Sequence, residues 1–336
     1  MDRREVTALM GPSALTEVVK APVVLPNKHL HSLAGHKAAV LNLSFSHDGH
    51  HLMSSSQDKT CRLWNPHKGI HIQEYKDVHN YEVNETKIFY DKTKFVSVGG
   101  DKAGYLWDIG EVRVLRRFAG GAGHEGKINC CDLSMGDSVL ATGSFDKRVL
   151  LWDLRSRHNR RPALEIKHAV DAITALQFRG HRLYTASVDG CARTYDIRKG
   201  RLCVDVVDSP ITSLALTAND ECLLVACLDN TIKLLDLKNR GRQLNEYRGH
   251  RAANYRIHAT FDPSNQCVVS GSEDGRLFFW EIDSLDNALE VWEGDRMPHR
   301  GSPVFCVRFA PNVPRITMVS AGNNKTLEVY GVHSLC

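Results

Sequence analysis

The feature that most constrains this chain is a unit of about 44 residues that returns seven times. The string SSSQDKTCRLWNP around Asp58 comes back, with changes, as VGGDKAGYLWD, GSFDKRVLLWD, SVDGCARTYD, CLDNTIKLLD, GSEDGRLFFWE and AGNNKTLEVYG. Aligning the turn acid gives Asp58, Asp101, Asp146, Asp189, Asp229, Asp274 and Asn324, with gaps of 43, 45, 43, 40, 45 and 50 residues. Six residues after each stands a large apolar side chain: Trp64, Trp107, Trp152, Tyr195, Leu235, Trp280 and Tyr330. A histidine precedes the turn in most units: His36, His79, His124, His168, His250 and His299, at 22, 22, 22, 21, 24 and 25 residues upstream. A unit of this length is one supersecondary element that buries its apolar face only against a neighbouring copy, so the repeat predicts one large domain built by side-by-side packing.

Local pattern says what the element is. Val40-Leu41-Asn42-Leu43-Ser44-Phe45 alternates apolar and polar, Ser46-His47-Asp48-Gly49 reads as a turn, and the Leu52 and Leu63 stretches read as further short strands. No segment keeps a helical period. At 336 residues and 42% apolar content the chain suits one large all-β domain, and a net charge of +4 is ordinary for a soluble protein. The ten cysteines include no Cys-x-x-Cys and no pairing framework, which predicts reduced, mostly buried thiols of an intracellular protein. The opening residues lack the apolar core of a secretion signal, and no run approaches the roughly 18 apolar residues of a membrane span, so no membrane contact is expected.

A period near 44 with Gly-His early and Trp-Asp late resembles the WD40 repeat, whose unit is one four-stranded propeller blade. The resemblance implies a seven-bladed WD40 β-propeller over residues 28–336, closed by pairing of N- and C-terminal strands, with residues 1–27 as a flexible tail. His29-Leu30-His31-Ser32-Leu33 is placed to supply the outer strand of the last blade beside Tyr330.

The recurring polar residues fit a buried hydrogen-bond chain. The turn aspartate accepts from the imidazole, the imidazole bonds a hydroxyl two residues before the aspartate, and the hydroxyl meets the tryptophan N–H. This assigns His36, Ser56, Asp58 and Trp64 to blade one; His124, Ser144, Asp146 and Trp152 to blade three; and His250, Ser272, Asp274 and Trp280 to blade six. Blade four carries the variant His168, Ser187, Asp189 and Tyr195. Serine, histidine and aspartate together also suggest a nucleophilic triad. A triad occurs once per active site, whereas this set recurs at the repeat period, so the expectation is structure, with no catalytic residue, cofactor or metal.

Other signals weigh less. Gly121-Ala122-Gly123-His124-Glu125-Gly126 matches the dinucleotide pattern, but that motif needs a following helix, and Lys127–Leu133 alternates as a strand. His47, Asp48, His50 and His51 crowd one turn and read as a polar hairpin rather than a metal site. The run Arg155-Ser156-Arg157-His158-Asn159-Arg160-Arg161 suits phosphate or carboxylate, yet lacks the interleaved aromatics of single-strand binders, so RNA contact is at most minor or indirect. Trp152-Asp153-Leu154-Arg155 fits the Trp-Asp-x-Arg signature of WD proteins that dock onto cullin-RING ubiquitin ligases. Phe145, Tyr81 and Tyr255 sit beside the turns around the channel mouth, where each is either an exposed partner anchor or a ring tucked under a neighbouring loop.

KTCRLWNPHKG, HNYEV, GGDKAGYLWD, SVDGCARTYDIRKG, DSPITSL, LDNTIKLLD, EYRGH and SEDGRLFFWEI together resemble the mitogen-activated protein kinase organizer family of WD-repeat scaffolds, which is also associated with the spliceosome. That resemblance implies a non-enzymatic adaptor, monomeric within a larger complex, binding splicing factors or signalling kinases in nucleus and cytoplasm. The alternative is a ligase substrate receptor working through Trp152–Arg155. The opening residues, the lengthened Gly120-Gly121-Ala122 loop and a divergent seventh unit with Asn324 depart from the family pattern, and partner surfaces lie in such loops.

Overall fold

The computed structural model describes residues 25–26, 28–156, 161–283, 288–292, 299, 301–313 and 317–332. Among them are 28 strands in seven four-stranded antiparallel sheets. In each of the first six the strands follow in chain order from the channel outward. The seventh takes its outer strand, Lys28–Ala34, from the start of the chain, paired with Thr326–Gly331 in the register Lys28↔Gly331 to Ala34↔Thr326. The ring is thus a seven-bladed propeller closed by its two ends, as expected, and every blade has both faces covered by neighbours. Leu25, within the expected tail, packs on the core that holds Trp292 and Tyr330. Residues 1–24, the bulk of the expected tail, lie outside the described residues.

Burial follows from this packing. The second strand of each blade is buried over all or all but its first residue, as in Leu52–Ser56 and Cys222–Cys227, because it meets apolar surface on both faces. The first strand is less deeply buried, as in Val40–Phe45, where Val40, Asn42 and Leu43 are buried and the other three half-buried. The cores lie between blades: Val40, Leu43, Leu52 and Trp64 of blade one pack with Cys306, Val319 and Val329 of blade seven. Seven of the nine described cysteines are buried, and all nine are free.

Hydrogen bonds also join blades around the channel. At the second position of the innermost strand, Asn84 donates to the Ile128 carbonyl at 2.7 Å, Asn129 to Ile173 at 2.7 Å, Thr174 to Ile211 at 2.7 Å and Thr212 to Ile257 at 3.3 Å. The first three stitches satisfy a carbonyl freed where the strand begins, beside a register shift in the sheet.

Candidate functional site

Strand order places the Gly-His loops and the turn acids on one face, and the turns between first and second strands on the other. The acid's first role is local. The residue after it lies at positive φ in all seven units: Lys59 (70°), Lys102 (60°), Lys147 (69°), Gly190 (76°), Asn230 (63°), Gly275 (85°) and Lys325 (68°). The carboxylate accepts from the next amide on, as in Thr60 N to Asp58 at 3.0 Å, Thr231 N to Asp229 at 3.0 Å and Arg276 N to Asp274 at 3.1 Å. This side-chain turn bond explains why the acid persists in blade five, which has no histidine.

The second role is the buried chain, and here the structure corrects the hydroxyl. His36 Nδ1 meets Asp58 at 2.8 Å, but its Nε2 meets Ser54 at 2.7 Å, and Trp64 donates to the same Ser54 at 2.8 Å. Blade three repeats this with His124, Asp146, Thr142 and Trp152, at 3.0, 2.8 and 3.0 Å. The working hydroxyl therefore lies four residues before the acid, not two. Ser56 and Ser144 sit at the strand end, where each accepts from the turn amide of Asp58 or Asp146 and donates to the Ala38 or Lys127 carbonyl. Strand alternation puts both hydroxyls on one face, and the imidazole reaches past the outer to the inner. A neutral imidazole satisfies the whole set: Nδ1–H donates to the carboxylate, Nε2 accepts from the hydroxyl, and the hydroxyl oxygen accepts the indole N–H. Burial opposes ionisation of Asp58 and Asp146, yet the bonds from His36 and His124 outweigh it and hold both carboxyls well below the usual range.

Blade two holds a complete set absent from the sequence reading: His79 to Asp101 at 3.0 Å, His79 to Ser97 at 2.7 Å, and Trp107 to Ser97 at 2.8 Å. Gly99 occupies the position two before the acid, which hid the blade. The available signal was spacing, because the histidine precedes the acid by 22 residues in these three blades and in no other.

The sets assigned to blades four and six do not form as drawn. In blade four His168 is exposed and stacks on Tyr195 with ring centroids 5.7 Å apart. Arg193, 5% exposed, takes the imidazole's place, donating to Asp189 at 2.8 Å and to Ser187 at 2.7 Å, while Ser187 bonds Asp189. In blade six Arg276 claims Asp274 at 2.6 and 2.9 Å, Ser272 accepts the Arg251 amide, and Trp280 donates to the Arg248 carbonyl. His250 is left buried against Phe278 and Trp280, with neither ring nitrogen bonded. Burial lowers its pKa to about 4. Longer spacing in blade six carries the imidazole away from the acid, and shorter spacing in blade four stops it at the rim. Blade seven keeps half a set, His299 to Ser320 at 2.7 Å.

The aromatic candidates are in the open. Tyr81 is 59% exposed, Phe145 57% and Tyr255 48%, so none is tucked under a loop. Lys127 lies over the Phe145 ring at 5.6 Å, and Tyr255 leans on Phe305 at 5.3 Å. Between them the channel mouth is a cavity of about 440 Å³ bordered by Leu41, Gln57, Glu82 and Lys127. On the opposite face the exposed Arg155 turns back on Asp153 at 3.2 Å, Arg161 is exposed, and Arg157 and Arg160 lie outside the described residues. The crowded turn is engaged otherwise: Asp48 pairs with Lys92 at 2.7 Å, His47 packs on Tyr90, and His50 on His67.

The WD domain, G-beta repeat model matches residues 27–65, 113–153, 202–236 and 241–281. The chain is 37% identical to human WD repeat domain-containing protein 83 over 285 residues, covering 84% of this chain and 88% of that protein. It is 39% identical to the Xenopus tropicalis protein of that name, covering 78% and 82%, and 30% identical to a Dictyostelium discoideum homolog, covering 74% and 84%. With seven four-stranded blades, a left-handed residue after every turn acid and these relatives, the chain belongs to the WD40-repeat family.

Proposed function

We propose that this chain is a non-enzymatic adaptor for multiprotein assembly, working in pre-mRNA splicing, with kinase-cascade scaffolding as the related role, in nucleus and cytoplasm. The observation that carries the adaptor reading is the ring of exposed aromatics, Tyr81, Phe145 and Tyr255, around the channel mouth. Large aromatics left open on a rigid rim are the side chains that dominate protein–protein binding energy. The Ser/Thr–His–Asp contacts support the non-enzymatic half, because their hydroxyls are buried and saturated by imidazole and indole in three successive blades. Resemblance to the organizer family, in strings the generic repeat does not fix, supports the splicing assignment. Affinity purification of the tagged chain from its native cells, with nuclease treatment, tests it. Splicing proteins should persist after nuclease and be depleted by the triple change Tyr81→Ala, Phe145→Ala, Tyr255→Ala; kinases alone would move the assignment to signalling. The ligase alternative has one supporting observation, the 76% exposed side chain of Arg155 within Trp152-Asp153-Leu154-Arg155. Loss of a co-purifying ligase adaptor on Arg155→Ala would establish it.

A further inference from the structure

Opposite the aromatic rim, the channel widens into a cavity of about 510 Å³ whose polar lining includes Lys87, Arg179, Arg256, His258 and Arg308. Most of this charge is matched. Lys87 pairs with Asp132 at 3.2 Å and Glu85 at 3.7 Å, Arg256 lies 3.8 Å from Glu85 and donates to the Asn129 and Thr212 carbonyls, and Arg179 pairs with Asp220 at 3.3 Å. Asp262, the other acid of the lining, is consumed by the amides of Gln266 and Cys267 at 2.7 and 2.6 Å. Arg308 is different. Its guanidinium contacts the Val307 carbonyl at 3.2 Å and His258 Nδ1 at 3.4 Å, and among the described residues no carboxylate lies within ion-pair distance. Burial and the three surrounding cations, Arg256, Arg308 and Lys87, hold His258 neutral, so it accepts from Arg308 without balancing its charge.

Beside this mouth the same face carries an adjoining cavity of about 460 Å³, sharing Lys87, Gln177, Arg179 and Pro311 with the first and walled by Leu133 and Phe178. On its rim Met135 is 86% exposed and Tyr90 65% exposed. One guanidinium without a carboxylate partner, next to an open pocket whose rim carries the exposed Met135 and Tyr90 side chains, selects a singly charged group attached to an apolar one. A multiply charged phosphate would find one unmatched cation and no use for the methionine.

We infer that this mouth is a second docking site, for an extended partner segment that places an Asp or Glu carboxylate on Arg308 and a neighbouring apolar side chain between Met135 and Tyr90. The inference rests on the adaptor reading and adds to it a second face, so that two partners bind one ring without competing. Guanidinium–carboxylate pairing fixes the segment's position, and the flexible thioether adapts to the apolar residue.

The test pans a display library of random heptapeptides against the full chain, then measures a synthetic consensus peptide by fluorescence anisotropy. Selected peptides should share an acidic residue beside an apolar one. Affinity should fall by about tenfold or more with Arg308→Gln, several-fold with Met135→Ser, and not at all with Phe145→Ala. Met135→Ser changes an exposed side chain and folds normally, so it decides the matter if Arg308→Gln lowers the melting temperature. Peptides without an acidic residue, affinity untouched by both variants, or no selection at all would overturn the site. Peptides lost only with Phe145→Ala would overturn it while leaving the aromatic rim, and the proposed function, standing.

Discussion

Blades two and six are both built around a histidine, a turn aspartate, a strand hydroxyl and a tryptophan, yet only blade two connects them. There the imidazole lies between Asp101 and Ser97, and the Trp107 indole completes the chain. In blade six the histidine stands two residues further upstream, Arg276 takes the carboxylate, and His250 is sealed among aromatic rings with both nitrogens unpaired. The difference teaches that the network is a matter of reach. Residue types set what bonds are available, while loop length sets whether the imidazole arrives.

The comparison is sharpest under acid. His250 and His299, both buried, titrate at about 4 against an ordinary 6.5. Between these values the unfolded chain binds more protons than the folded one, so stability is fully present above about pH 6.5 and is lost as pH falls toward 4. Each histidine contributes on the order of 3 kcal/mol to that loss. Urea melts across this range should show it, and His250→Phe should flatten the curve; an unchanged slope would mean that His250 is hydrated in solution.

Next in size is the acid itself. Asp101→Ala strands a buried imidazole and should cost about 1–3 kcal/mol, whereas Asp274→Ala, whose carboxylate serves a half-exposed arginine and the turn amide, should cost less than about 1 kcal/mol. Equal losses by chemical denaturation would break the distinction between the blades. Within blade one, Ser54→Ala removes the partner of both His36 and Trp64, with an expected cost of about 1–2 kcal/mol. Ser56→Ala, confined to the turn, should cost roughly half as much. The smallest effect belongs to blade four: His168→Ala should change stability by less than about 0.5 kcal/mol, because the ring is exposed. Arg193→Ala should cost clearly more, since it removes a buried guanidinium that bonds both Ser187 and Asp189.

The seven units, their strands, the turn acids and the closing strand were legible because each follows from short-range pattern repeated in register. The hydroxyl was misplaced because Ser54 and Ser56 share a strand face, and nothing in the alternation tells how deep an imidazole penetrates. Blade two carries Gly99 where a hydroxyl would mark the set, although Ser97 stands two residues earlier. Arg193 left only a faint trace, a cation at an inward position of a third strand, beside a histidine spacing one residue short. Arg308 left none, since its lack of a counter-charge is set by the other strands around the channel.

The closing strand also has a consequence in time. Lys28–Ala34 is made about 300 residues before Thr326–Gly331, its one strand partner among the described residues. At about 5–20 residues per second, ribosomal synthesis keeps that edge waiting for tens of seconds while six blades assemble behind it. An unpaired strand in a crowded cell invites wrong pairing. The ring is therefore latched last, and slowing translation near its end should raise the fraction of chain that aggregates without altering the stability of the chain that has closed.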